Sequence, residues 1–198
     1  MHRLAIASCV LAAAAFAQSP LSTLNVGGNQ GNQGGGIYFN LTVNQTITIN
    51  QIDFRVAVAG QPQDALDVWL GPTTYVGNVT NAALWTLVSS TQSVAIPNDT
   101  LAIGPMAANI TLGPGSYGVA LVAQNGSFSH SYTNGDGNAT PGSGTNQTYS
   151  TTELTLEGGA AQNAFLQGGV FQPRIWNGDI HYSLGGTPIA VASQETYG

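Results

Sequence analysis

The chain has no lysine. Its cations are three arginines, Arg3, Arg55 and Arg174, set against 9 acidic residues for a formal net charge of −6. Without a basic cluster it cannot neutralise a run of phosphates, which excludes nucleic-acid binding. Cys9 is the single cysteine, so no disulfide can form within the chain. Only 6% of residues are charged, too few for a charge-driven disordered segment. After residue 17 no apolar run approaches the roughly 20 residues of a membrane-spanning helix. No stretch repeats with a helical period. A Gly-x-Ser-x-Gly nucleophile elbow is missing as well.

What is present is 42% hydrophobic residues and 26 glycines in 198 positions, enough for one domain. Residues 1–17 read as a secretory signal. His2 and Arg3 form the n-region, Leu4 to Phe16 the apolar region, and Ala15-Phe16-Ala17 the cleavage site before Gln18. Ile6-Ala7-Ser8-Cys9 also has the look of a lipobox, but too few residues precede Cys9 to build its apolar region. The expected location is therefore secreted or extracellular, and Cys9 leaves with the signal. Eight Asn-x-Ser/Thr triplets begin at Asn40, Asn44, Asn78, Asn98, Asn109, Asn125, Asn138 and Asn146. They would accept glycans in a eukaryotic secretory route. In a chain this rich in Asn and Thr, composition alone also produces them.

Period-two alternation dominates the rest. Ile37, Phe39, Leu41 and Val43 alternate with polar or small residues, and Ile47 and Ile49 continue. The phase then slips at Asn50-Gln51 before Ile52, Phe54, Val56 and Val58. A one-residue slip would turn every apolar side chain outward, so a bulge or tight turn is expected there. Leu66, Val68 and Leu70 alternate again. Ile110 and Leu112 run into the turn Gly113-Pro114-Gly115. From Tyr117 to Ala123 both parities are apolar, which predicts a central strand covered on both faces. Residues 83–88, 93–96, 128–133, 153–156, 165–171 and 174–184 are further strand candidates. Short strands divided by Gly, Pro and Asn turns predict an all-β fold, an antiparallel β-sandwich of jelly-roll type, with an immunoglobulin-like arrangement as the alternative. The sandwich should occupy residues 18–184. Residues 185–198 read as a C-terminal tail or linker, and 27–36 and 134–148 as polar loops.

Three segments carry a resemblance. They are the Gly/Asn-rich lead into Ile37-Tyr38-Phe39-Asn40-Leu41-Thr42-Val43, the run Leu112-Gly113-Pro114-Gly115-Ser116-Tyr117-Gly118-Val119, and the ending Phe171-Gln172-Pro173-Arg174-Ile175-Trp176-Asn177-Gly178-Asp179-Ile180-His181-Tyr182. Together, over residues 24–184, they resemble secreted bacterial β-sandwich domains of exoproteins, such as those with PEP-CTERM-type sorting tails. That resemblance implies fold and location and supplies no catalytic residues. Residues 185–198 do not resemble the hydrophobic helix and basic end of sorted members. In similar proteins a stretch like 190–198 runs on into a further domain.

Candidate chemistry is sparse. His130 and His181 are far apart in sequence, without metal-spaced partners, and read as ordinary strand residues. Glu153 and Glu157 on one strand would sit ~13 Å apart, outside the ~5–9 Å that glycoside hydrolysis requires. Asp64 and Asp67 would point to opposite faces of a strand. An enzyme is therefore not expected. Where Leu66, Val68 and Leu70 point inward, Asp67 and Trp69 point outward, and a tryptophan beside a carboxylate can form a stacking platform for a sugar ring. The alternative for Trp69 is burial in a second layer. Trp85 has no clear parity but joins the ligand-binding candidates, and Trp176 shares its parity with core residues. Asn134, Asp136 and Asn138 hold positions one, three and five of a calcium-loop-like run. Ala139 replaces the glycine of such loops and Thr145 the closing glutamate, so a plain Asn-Gly and Asp-Gly turn is the stronger reading and calcium the weaker. Asp53 and Arg55 share a face and are expected to pair. Arg174 is expected to be partly buried against a carboxylate or carbonyls.

The sequence thus predicts a secreted, non-catalytic β-sandwich module that binds a glycan or surface polymer, with no nucleic acid and no membrane insertion. The alternative is a structural or adhesive module that self-associates or attaches to the cell envelope through its sheet edges.

Overall fold

The computed structural model describes residues 20–23, 29–30, 34–59, 65–92, 102–123, 128–135 and 148–190. The signal-like segment, the 93–96 strand candidate, Asp64, Asp136, Asn138, Thr145 and the side chain of Arg55 lie outside the described residues. The chain is all-β and antiparallel, in two sheets. Its strands are β1 (Leu21–Ser22), β2 (Asn29–Gln30), β3 (Gly36–Val43), β4 (Ile47–Ala59), β5 (Ala65–Leu70), β6 (Thr86–Gln92), β7 (Ala102–Leu112), β8 (Gly115–Ala123), β9 (Phe128–Thr133), β10 (Thr148–Ser150), β11 (Leu154–Gln162), β12 (Ile175–Trp176) and β13 (Gly178–Leu184). One sheet runs β10-β11-β3-β8-β5-β6. The other runs β1-β13-β4-β9-β12, with β7 also on β4 and β2 also on β9. The chain changes sheet at most of its connections, among them β3 to β4, β7 to β8 and β8 to β9, so many neighbours in sequence lie in opposite sheets.

That core is built from the alternating residues. Phe39, Leu41, Val68, Leu70, Val119, Leu121, Leu154 and Leu156 come from the six-stranded sheet. Ile47, Ile49, Ile52, Phe54, Ile110, Leu112, Trp176, Ile180 and Tyr182 come from the other. Each such side chain, fully buried, contributes about 1.5–3 kcal/mol. Trp176 is 1% exposed and stacks on Phe39 across the sheets, with ring centroids 5.6 Å apart. The phase slip resolves as a bulge: the ladders of β4 with β13 and with β7 both shift register between Ile49 and Gln51. Asn50 absorbs the extra residue and is exposed, which keeps Ile47, Ile49, Ile52 and Phe54 on one buried face.

Strand β8 is central, between β3 and β5, and Gly118 to Ala123 are buried on both faces. A second apolar layer explains this. Tyr38, Tyr75, Val79, Trp85, Ala120, Val122 and Ala160 form a cluster on the outer face of the six-stranded sheet, with Trp69, Leu84, Phe165 and Leu166 packed against it. Two segments supply the cover. Residues 71–85 fold back through reciprocal backbone bonds, Gly71 N–H to Gly118 and Gly118 N–H to Pro72, and end in a short 3-10 turn, Ala82–Leu84, capped by Asn81. Residues 163–173 form the other cover. The strand expected at 165–171 is instead this compact turn, closed by the bridges Ala161 to Phe171 and Ala164 to Gln167. The strand expected at 174–184 breaks at Asn177 into β12 and β13. Leu184 is exposed despite its parity, because β13 ends there. Beyond it, the described part of the tail lies along the sheet, with Ile189 N–H donating to the Thr111 carbonyl.

Candidate functional site

The residues proposed as a sugar platform lie on or beneath the second layer. Parity turned Trp69 away from the inter-sheet core, but that face is covered. Trp69 is half-buried, its ring 5.0 Å from that of Phe165, and its buried indole N–H has no acceptor among the described residues. Trp85 is 5% exposed, donates its indole N–H to the Asn78 carbonyl across 2.9 Å, and meets Tyr38 edge-on. Asp67 is half-buried on β5, opposite Ser90 and Val122. The three do not make an open stacking surface, because the folded-back segments supply apolar partners that strand parity cannot anticipate.

The turn that covers Trp69 builds a different surface. Phe165 lies between Trp69 and Tyr38, and the Tyr38 hydroxyl donates to Gln162 Oε1 across 2.6 Å while accepting from Leu166 N–H at 3.2 Å. Burial pushes the Tyr38 pKa up to about 12, so the hydroxyl stays protonated. Leu166 holds a φ of 59°, a left-handed conformation uncommon for a leucine and one that concentrates at ligand-binding segments. With the turn pinned, Val170 and Phe171 are left 38% and 43% exposed. Arg174 reaches back beneath Phe171. Its guanidinium carbon lies 5.1 Å from the Tyr132 ring centre and 5.9 Å from that of Phe171. Its Nη1 donates to Asn134 Oδ1 at 3.0 Å and to the Pro173 carbonyl at 2.7 Å, and its buried Nε–H has no acceptor among the described residues. No carboxylate among the described residues pairs with it.

A narrow, mostly enclosed cleft beside Phe171 is lined by Gly35, Tyr132, His130, Gln162 and Asn163, with a cavity of about 20 Å³, room for a single water. His130 is fully buried at its base. Burial pushes its pKa down to about 4, against the opposing pull of hydrogen bonds with the Leu121 and Gly35 backbone, so it is neutral at neutral pH. Phe171 and Tyr132 escaped the sequence reading, which weighed only tryptophans as platforms. The available signal was an aromatic and a valine stranded among the loop glycines of Gly168-Gly169-Val170-Phe171.

Of the calcium-like run only Asn134 lies among the described residues. Asn134 is buried, and its side-chain oxygen faces a guanidinium, leaving it turned toward a cation already present. Glu153 precedes β11, and Glu157 lies within it. Glu153 is buried and accepts from the Tyr182 hydroxyl at 2.8 Å, whereas Glu157 is exposed.

On the outer face of the seven-stranded sheet, His181 is not an isolated strand residue. Its Nε2 lies 2.8 Å from Asp53 Oδ2, and Asp179 stands directly opposite Asp53 in the β13–β4 ladder. The signal was legible as Asp179-x-His181, two ligand-type residues on one face of one strand.

No family model matches the chain, and no curated protein or solved structure matches it either. No helix among the described residues is long and apolar enough to cross a membrane.

Proposed function

We propose that the chain is a secreted, non-catalytic β-sandwich module that binds a glycan or surface polymer across the cleft beside Phe171. The observation that carries this reading is the half-exposed Phe171 ring, backed by the Arg174 guanidinium and flanked by the exposed amide of Asn163. A sugar ring offers an apolar face to an aromatic and a rim of hydroxyls to planar donors, and this surface supplies both. The cavity holds no more than one water, so a ligand would lie along the surface, which suits an extended polymer better than a small substrate. Trp69 and Trp85 then act from below, by fixing Phe165 and with it the turn that presents Phe171.

The test is a screen of the chain against immobilised glycans and insoluble polysaccharides, repeated with Phe171→Ala. Saturable binding lost in the variant supports the proposal. Binding that survives Phe171→Ala and is lost in Trp69→Ala would move the site back to the outer face of β5. No binding, with concentration-dependent assembly in light scattering, would favour the self-associating adhesive module.

A further inference from the structure

We infer that Asp53, Asp179 and His181 form a binding site for one first-row divalent cation of the zinc type on the outer face of the seven-stranded sheet. Each offers one ligand atom, and these atoms lie within 4.8 Å of one another. The set is one imidazole and two carboxylates, a donor combination that serves zinc and manganese better than calcium.

The scaffold is rigid. Asp179 and His181 are two residues apart on β13 and share a face, and Asp53 comes from the neighbouring β4. All three are half-buried, so main-chain pairing, not a loop, sets their spacing. His181 Nε2 and Asp53 Oδ2 lie 2.8 Å apart in a hydrogen bond, and ligands of a tetrahedral zinc ion with bonds of ~2.0–2.1 Å stand about 3.3 Å apart, so the pair needs to open by only about half an ångström to admit the ion. Gln51, opposite His181 in the ladder, donates its amide to Asp53 Oδ1. It thereby fixes the carboxylate and leaves Oδ2 turned toward the imidazole, as an outer partner of a metal ligand does. Asp179 has no hydrogen-bond or ion-pair partner among the described residues. Two carboxylates directly opposite each other on antiparallel strands repel, and a divalent ion between them removes that cost. Water would complete the coordination shell from the open side.

The experiment is a calorimetric titration of the full chain with zinc chloride, followed by manganese and calcium chlorides, on the wild type and on Asp179→Asn and His181→Gln. One zinc per chain is expected, with manganese weaker and calcium weakest, and each substitution should weaken zinc binding by about tenfold or more. Zinc should also raise the Tm of the wild type by mass action and leave unchanged that of the double variant carrying both Asp179→Asn and His181→Gln. X-ray absorption of the wild-type zinc complex gives a readout that does not depend on variants folding. It should show one imidazole and otherwise oxygen donors. Two or more imidazoles or a sulfur in the shell would overturn the assignment, since this face supplies a single histidine. Undiminished binding in the double variant, or no saturable binding up to about 1 mM zinc, would overturn it too and leave a simple His–Asp hydrogen bond.

Discussion

The Tyr38 hydroxyl donates to Gln162 across 2.6 Å and accepts from Leu166 N–H, so one side chain on β3 ties the start of the turn that presents Phe171 to its interior. This pin links the sandwich to the proposed binding surface. Tyr38→Phe keeps the ring packing against Trp85 and Phe165 but strips the buried Gln162 oxygen of its donor. It should cost about 1–3 kcal/mol in urea denaturation. Amide exchange should accelerate over 163–171 while β8 stays protected. Unchanged exchange in the turn would mean that the aromatic stack alone holds it.

The three tryptophans should differ in their contribution to stability according to burial. Trp176 bridges the two sheets against Phe39 and is almost fully covered, so Trp176→Ala should cost about 3–5 kcal/mol. Trp85→Ala should cost somewhat less, in the smaller outer cluster, and the half-buried Trp69→Ala least. Chemical denaturation of the three variants checks the order. A Trp69→Ala loss as large as that of Trp176→Ala would contradict the division into a main core and a covering layer.

His130 should make stability depend on pH. Its folded pKa is lowered to about 4 from 6.5, so between those values the unfolded chain binds a proton that the folded chain refuses. Stability is therefore fully present above pH 6.5, falls as pH drops toward 4, and levels off for this group below that. The full loss is about 3 kcal/mol. His130→Gln should flatten the curve in this window, as read by denaturation at a series of pH values. An unaltered slope in the variant would assign the dependence to other groups.

Gly159 is a point of close approach. A Cβ there would collide with the Arg174 carbonyl, whose own N–H donates to the Gly159 carbonyl at 3.1 Å. Gly159→Ala should cost about 1–3 kcal/mol and displace Arg174 from beneath Phe171, weakening ligand binding as well. Gly169→Ala, with open space around it, should stay within about 0.5 kcal/mol of wild type. Equal effects at the two positions would argue against the tight β11–Arg174 contact.

Much of the fold was legible because period-two patterning reports which face of a strand is buried. It located the bulge at Asn50, the inward set Leu66, Val68 and Leu70, and the doubly covered β8. The apolar second parity of β8 already implied an outer layer. What would form that layer was not legible, because 71–85 and 163–173 have no periodicity and fold by turn chemistry and by bonds to distant groups such as Tyr38. For the same reason parity leaves Trp69 open between an exposed platform and burial in a second layer, and it reads 165–171 as a strand where a compact turn stands. Arg174 was correctly expected to be partly buried against carbonyls, since parity placed it beside Trp176. The partnership of Asp53 with Asp179 and His181 depends on which strands pair, and pairing order is not written in the alternation of any single strand.

The most direct test of the central claim is a titration of the isotope-labelled chain with the best-binding oligosaccharide, followed by amide chemical-shift changes. The account predicts saturable shifts concentrated at 161–174 and Tyr132, abolished by Phe171→Ala. Shifts confined to the sheet edges at β6 and β10, or to the face of β5 around Asp67, would contradict it.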